Sequence, residues 1–436
     1  MENDRPPEAR PEGDEAAGDA PDTEDAIFMP TDDAALLEEG VDVVADLEGQ
    51  MSDDEDDEGD GEGGPSAQGG GDDEAMAEDA VAIVPERDDA RHVFASVADP
   101  ETGEPRPVYA VAWNRAQPAV VAFGGEDDLV HLCQPLVSAS AKLPAHEDSV
   151  VSMAFDASGQ ALASGGMDGR VCIWDVSMGQ QTRALEGPGE AVEFVRWHPQ
   201  GSVVLAGSED FTLWMWNATS GACMQVFTGH QDSVTCGSFT SDGRKVVSGS
   251  LDHSVRVWNP KEGACIATFQ GENFHAGGIT SLDCSPDKTS GVLIAGSVDG
   301  NASLIQTEGA NPRVLGKLAL HEDSVESVGI CGVLPLAATG SLDGKVGIWD
   351  CNTLTTRTAL EHPMGVIRCL WHPAEALLFT ACLDGRVRVW DARTGDIARE
   401  FIGHAASLLD MALNQDGTAV ITGADDGTCR IFTMQQ

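Results

Sequence analysis

The chain has 436 residues and a formal net charge of −48, and residues 1–90 alone hold 33 Asp and Glu against three Arg and no Lys. Both that segment and the remainder are acidic, which disfavours bare nucleic acid and anionic membranes as partners and favours a basic protein or peptide. The 11 Cys form no CxxC pair, and no run of 18 apolar residues occurs; this excludes a disulfide framework and a spanning helix, and places the chain in the cytosol with a nuclear pool left open.

Residues 1–90 are rich in Asp, Glu, Gly, Pro and Ala, with Phe28 their one aromatic. Such a segment buries too little apolar surface to offset its ordering entropy, so a disordered acidic tail is expected. It reads either as a solvated tail or as a polyanionic arm that competes with RNA for a basic client. Residues 1–20 are charged and Pro-rich and show no leader-like apolar run. Within the tail, Ile27 to Leu47 mixes apolar and acidic residues in the manner of a short docking segment.

From residue 91 the character changes. His92 to Val97 (HVFASV) has the alternation of a strand. A pattern then recurs in which small residues precede an Asp, and an apolar alternation ending in Trp follows it, as in GGMDGRVCIWD at Gly165 and GSLDGKVGIWD at Gly340. The Asp falls at Asp127, Asp168, Asp210, Asp252, Asp299, Asp343, Asp384 and Asp426, spaced 41, 42, 42, 47, 44, 41 and 42 residues apart. That period is the length of a four-stranded propeller blade of the WD40 kind. The expected fold is therefore all-β: an eight-bladed WD40 β-propeller over residues 91–436. Seven blades plus a hairpin is the alternative, because the first and fifth copies are degenerate. After the eighth Asp only one strand (TCRIF) remains before Gln436, so the last blade lacks an outer strand. His92 to Val97 is expected to supply it and to remove an open edge.

A His precedes most of the Asp residues. In WD proteins such a His, a strand Ser or Thr, the turn Asp and the Trp form a hydrogen-bonded chain inside the blade. Four blades are expected to form it whole: His146, Ser164, Asp168 and Trp174; His230, Ser248, Asp252 and Trp258; His321, Thr339, Asp343 and Trp349; His362, Thr380, Asp384 and Trp390. The last blade has His404, Thr422 and Asp426 with Phe432 in place of Trp, and the first, third and fifth lack the set. Ser, His and Asp together suggest a hydrolase triad, but repetition at constant period marks scaffolding. No GxSxG, phosphate loop or HExxH is present, so no enzyme, cofactor or metal is expected.

Function is then argued from the faces of the ring. One set of positions, five residues after the blade His, is expected at the narrow opening: Tyr109, Val151, Glu193, Thr235, Thr280, Glu326, Ile367 and Leu409. A second set immediately precedes the turn Asp: Glu126, Met167, Glu209, Leu251, Val298, Leu342, Leu383 and Asp425. Five acids, Glu126, Glu193, Glu209, Glu326 and Asp425, would converge there, and none of the sixteen positions holds Lys or Arg. Crowded carboxylates attract a cationic ligand, while acids on an acidic domain also read as a plain solvated face. The leucines between them offer seats for peptide side chains.

Longer strings go beyond a generic repeat. GGEDD at Gly124, AVEFVRWHPQGSVVLAGSEDFTLWMW at Ala191, HEDSVESVGICGVLPLAATGSLDG at His321 and LDGRVRVWDARTG at Leu383 resemble the angio-associated migratory cell protein family, whose fungal relatives are ribosome-assembly chaperones. The resemblance covers nearly all of residues 91–436. It implies a monomeric chaperone for one basic protein of the large ribosomal subunit, with the client's N-terminal segment held on the acidic face. It adds Asp410, in SLLDMAL, to the client-binding residues Glu126, Glu193, Glu209, Glu326 and Asp425. Animal members have been linked to cell migration, so a signalling or migration scaffold is the alternative. A ubiquitin-ligase substrate receptor is a third reading, without an F-box-like region to support it.

Overall fold

The computed structural model describes residues 84–135, 139–144, 146–271, 274–308 and 312–434, and contains no α-helix among them. Eight four-stranded antiparallel sheets follow one another along the chain. The inner strands of blades 1 to 8 are Ala110–Trp113, Val150–Phe155, Val192–Trp197, Cys236–Phe239, Ile279–Cys284, Val325–Ile330, Val366–Trp371 and Leu408–Leu413. Each packs beside the next, and that of blade 8 packs beside that of blade 1. The second strand of each blade is buried on both faces, because each sheet is covered by a neighbour on either side. Phe194 of blade 3, for example, is buried with Val234, Phe239 and Trp258 of blade 4, a transfer from water that stabilises by about 1.5–3 kcal/mol per large side chain.

The ring closes as the strand count predicts. His92–Ala95 pairs antiparallel with Thr428–Thr433, from His92 opposite Ile431 to Ala95 opposite Thr428. The N–H of Val97 then reaches the Asp127 carboxylate of blade 1 at 2.8 Å. Ordered contacts start ahead of residue 91. Asp89 and Ile402 exchange two hydrogen bonds, at 2.8 and 3.1 Å, and Asp88 pairs with Arg430 at 2.5 Å. The last acids of the N-terminal segment are therefore part of the blade 7–8 seam. The remainder of the expected tail, with the 27–47 docking segment, lies outside the described residues.

Inside the blades, three of the four expected chains form whole. In blade 4, His230 Nδ1 lies 2.9 Å from Asp252, Nε2 lies 2.7 Å from Ser248 Oγ, and the Trp258 indole N–H donates to the same Oγ at 2.9 Å. Blades 2 and 6 repeat this arrangement, and blade 8 keeps the His404 part of it without a Trp. Ser164 and Ser248 are fully buried and committed to these bonds, which removes them as nucleophiles.

Blade 7 departs from the expectation. His362 bonds Thr380 at 2.9 Å and Trp390 bonds Thr380 at 3.0 Å, but Asp384 pairs with Arg388 at 2.6 Å. His362 Nδ1 is left without a partner. Arg388, buried four residues after the turn Asp, holds this carboxylate and Glu400 together, whereas Arg256 of blade 4 and Arg430 of blade 8 stand at the same position and leave the His–Asp bond in place. The same position repairs two blades that lack the usual His. In blade 1, His131 reaches back to Asp127 at 2.7 Å and stacks on Phe123. In blade 3 the Trp214 ring lies where a Cβ on Gly187 would stand, 2.6 Å away. Blade 5 keeps His275 against Asp299 at 3.2 Å, with Nε2 unpartnered because Ala295 replaces the hydroxyl.

Burial, then the Arg388 charge, push His362 down to about 4. A histidine held neutral in the fold stabilises fully above the ordinary value near 6.5, and that contribution is lost as pH falls toward 4. Arg388→Cys frees Asp384 to accept from His362 Nδ1. The expected result is a His362 pKa, read by NMR, that rises by at least one unit, with less stability lost between about pH 7 and about pH 4.5. An unchanged titration would show that the arginine is not what displaces the carboxylate.

Candidate functional site

The two sets of face positions are built by main-chain features that repeat around the ring. In six blades the inner strand slips register by one residue, and the skipped residues are Val151, Glu193, Thr280, Glu326, Ile367 and Leu409. A β-bulge re-aims its extra side chain away from the sheet. In blades 1 and 4, Tyr109 and Thr235 immediately precede the inner strand. The second set is tied to the first by one bond per blade. The N–H of each residue ahead of the turn Asp donates to the carbonyl two residues before the bulge position, from Glu126 to Pro107 at 3.1 Å through Glu209 to Ala191 at 3.0 Å and Asp425 to Ser407 at 3.0 Å. All sixteen positions thus share one face. Gly125 is required beneath it, because a Cβ there would meet Pro107 O at 1.9 Å.

Glu126, Glu209 and Asp425 are exposed, and Glu193 and Glu326 are half-buried nearer the centre. The acids group by blade. Glu193 and Glu209 meet on blade 3. Burial, then the Glu209 charge and a hydrogen bond shared with it, push the Glu193 carboxyl up to about 7. Glu126 and Asp425 flank Tyr109 at the blade 8–1 seam, where burial and these two charges raise the phenol pKa. Burial, then Asp426, raise Asp425 as well. Glu326 stands apart on blade 6.

Asp410 has a different place. It follows the bulge by one residue, as Ser152 and Ser327 do, and shares their task of bonding the N–H of the next inner strand. Its carboxylate takes the N–H of Val111 at 2.9 Å and the Arg368 guanidinium at 2.8 Å, while Ser152 and Ser327 take Val195 and Cys369. It therefore stitches blade 8 to blades 1 and 7.

Three arginines near the opening are not visible from the sixteen positions. Arg196 sits within range of charges on blades 5, 7 and 8, as only a side chain at the centre of the ring can, and burial and Arg368 lower its pKa. Asp283 faces the same space, pushed up to about 6 by burial, which outweighs the hydrogen bond it accepts from the N–H of Ile330. The channel below the face thus balances Arg196 and Arg368 with Asp283 and Asp410. Arg106, on the connection from the closing strand, pairs with Asp99 at 3.0 Å and touches the Glu126 carbonyl at 3.4 Å. It offsets Glu126 at the seam, whereas no base is among the groups that act on Glu193 of the blade 3 pair. At the opposite mouth a cavity of about 500 Å³ is lined by Arg115, Trp371, Pro373 and Asn414 among others, with no carboxylate.

The profile of the WD domain, G-beta repeat, matches residues 138–175, 179–217, 221–259, 263–305, 313–350, 354–391 and 395–433, well over half of the sequence, and the chain belongs to that family. Within it, the sequence is similar to the angio-associated migratory cell protein of dog, 32% identical over 179 residues, 38% of this chain and 41% of the relative. The human protein of that name is 31% identical over the same length. An uncharacterised WD-repeat protein of Schizosaccharomyces pombe is 33% identical over 160 residues, 37% of this chain and 39% of that one. The matched stretch therefore spans about two fifths of the length of these curated relatives. Among solved structures, Sqt1 of Chaetomium thermophilum, crystallised with the N-terminus of the ribosomal protein L10, superposes with a TM-score of 0.72 at 21% identity, covering 80% of this chain and 100% of that one. Sqt1 of Saccharomyces cerevisiae gives 0.72 at 22% identity, covering 79% and 99%. At these identities the likeness establishes the fold.

A carboxyl that ordinarily titrates near 4.5 and is raised to about 7 in the fold makes the native state bind its proton more tightly than the unfolded chain. Stability then falls as pH rises across that interval. Glu193→Gln is expected to raise the melting temperature at about pH 8 by about 2 °C and to leave it nearly unchanged at about pH 5. Equal shifts at both pH values in thermal denaturation would remove the case for a strained carboxylate at this place.

Proposed function

We propose that the protein is a dedicated, non-catalytic chaperone that holds the basic N-terminal segment of a large-subunit ribosomal protein on the acidic face of the propeller. The observation that carries this reading is the Glu193–Glu209 pair on a face that also bears Glu126, Glu326 and Asp425 and whose sixteen side-chain positions hold no base. A carboxyl raised by burial and then by its like-charged neighbour favours a ligand cation at that spot, because the cation stabilises the ionised form. The recurrent Ser, His and Asp sets are buried within blades, so the face offers binding and no assembled nucleophile.

A ribosomal protein away from the ribosome is a polycation that binds stray RNA or aggregates. A carboxylate-lined cup screens it, speeds its capture, and yields it to the denser negative charge of ribosomal RNA. The bound ribosomal-protein N-terminus in the Sqt1 crystals supports a client of this chemistry, and so does the similarity to the angio-associated migratory cell proteins. The proposal includes a monomeric chaperone acting in the cytosol. The residues proposed to contact the client are Glu126, Glu193, Glu209, Glu326 and Asp425, with Asp410 acting beneath them through the inner strands.

Purification of the tagged full chain from its own cells at low salt is expected to bring down one basic ribosomal protein in near-stoichiometric amount. The double variant Glu193→Lys, Glu326→Lys should weaken that complex by at least about tenfold, near 1.4 kcal/mol, with an unchanged circular dichroism spectrum. Recovery of a set of acidic or neutral signalling proteins instead, insensitive to the double variant, would replace the chaperone by a scaffold.

A further inference from the structure

The face is not uniform around the ring. Blades 8, 1 and 3 carry Asp425, Glu126, Glu193 and Glu209. Across blades 4 to 7 the positions ahead of the turn Asp are Leu251, Val298, Leu342 and Leu383. Val298 and Leu342 are 49% and 38% exposed, and Met364, on the connection into blade 7, is 46% exposed. These side chains are drawn together over glycines. A Cβ on Gly278 would stand 2.6 Å from Leu251 Cδ2, and one on Gly277 3.2 Å from Val298 Cβ. A Cβ on Gly365 would stand 3.1 Å from both Leu342 Cδ2 and Leu383 Cδ1. The threonines of this half add no free polarity. The Thr235 and Thr280 hydroxyls donate to the Ile279 and Val325 carbonyls of the next blade. Glu326 is the one acid of the half-ring among the sixteen positions.

Contiguous exposed apolar side chains rimmed by charge mark an interaction surface. We propose that the segment held on this face is amphipathic. Its Lys and Arg side chains are read by the carboxylates of blades 8, 1 and 3, and a row of aliphatic or aromatic side chains is seated on Leu251, Val298, Leu342, Met364 and Leu383. The proposal rests on the reading above that the face holds a basic segment, and it adds what the rest of that segment must be. Charge selects this occupant over others. A second copy would bring its own carboxylates against these, since a two-fold contact pairs a patch with itself. An anionic bilayer is repelled by the acidic half. A purely apolar partner would leave desolvated carboxylates without counter-charge, and a purely basic one would leave half of the face wet and unused.

Two parts of the binding free energy then respond to different variables. The carboxylate part weakens with salt, and the apolar part does not and carries a negative heat-capacity change. The test uses the full chain and two synthetic peptides of equal length and equal Lys and Arg content, one with Leu and one with Ser at the remaining positions, titrated by fluorescence anisotropy from about 50 to about 500 mM salt. The Leu peptide is expected to bind about tenfold tighter, by a ratio that salt leaves in place. Leu342→Ser with Leu383→Ser should collapse the ratio and keep the salt slope. Val298→Ser with Met364→Ser, at exposed sites that the fold does not need, should lower the ratio in the same sense. Glu193→Gln with Glu209→Gln should flatten the slope and keep the ratio. Equal affinities for the two peptides, or a ratio untouched by both apolar variants, overturn the amphipathic ligand and leave the basic-segment reading standing. Absence of any salt-dependent binding overturns that reading itself.

Discussion

One main-chain hydrogen bond, from the N–H ahead of the turn carboxylate to the carbonyl two residues before the inner-strand bulge, recurs in all eight blades and fixes the geometry of the face. Because both partners are backbone, this bond places no demand on the side chains at the face positions, although Thr235 and Thr280 add hydroxyl bonds to the next blade. Inside the blade the reverse applies. There the bonds run through side chains, so the positions are restricted to His, Ser or Thr, Asp and Trp, or to a substitute that supplies the same bond, as His131 does for Asp127. This division of labour explains how a scaffold with near-constant interiors can carry Glu at one blade's opening and Leu at another's.

The architecture was legible in the sequence because its signals are periodic. A constant spacing of turn Asp residues gave the blade count. A missing outer strand in the eighth copy pointed to residues 92–97. A fixed register from His and Asp placed the sixteen face positions. What the sequence did not disclose depends on which side chains lie opposite each other across strands. Thr380 pairs with Arg388 in register, as Ser248 does with Arg256 and Thr422 with Arg430, and of these three arginines Arg388 is the one that takes the turn carboxylate from the His. Motif matching counts the four expected residues and passes over that neighbour. Asp410 was grouped with the client-binding acids through a family-like string, yet its register one step past the bulge, shared with Ser152 and Ser327, points it at the next strand. Arg106 belongs to no repeat, and only the path of the closing segment brings it beside Glu126. The raised carboxyl of Glu193 depends on burial beside Glu209, which spacing alone does not report.

Closure of the ring also shapes the distribution of charge. The segment that completes blade 8 and crosses to blade 1 anchors Asp88 and Asp89 on the rim and lays Arg106 against the seam. Acidity at Glu126 is therefore partly compensated, although this residue looks the same in sequence as those of blade 3. The uncompensated centre of the face is the Glu193–Glu209 pair, with Arg196 below it turned toward the channel and Asp283. A cation approaching along the axis meets carboxylates first and guanidinium groups behind them, an order that favours binding across the mouth over passage through the ring.

Like charges held together cost stability, and a fold under selection for stability alone would not keep them. Here the cost is concentrated where the main chain is rigid. Glu193 sits on a bulge whose flanking residues, Val192 and Phe194, are buried in the interfaces with the two neighbouring blades, and Glu209 is tied to the same strand through Ala191. Burial first, and then the Glu209 charge and the hydrogen bond shared with it, push the Glu193 carboxyl up to about 7 at this fixed place. On the proposed function, a guanidinium or ammonium group placed between the two carboxyls stabilises the ionised form of both. The rigidity that keeps these carboxyls together is then the property that directs an arriving cation to this place.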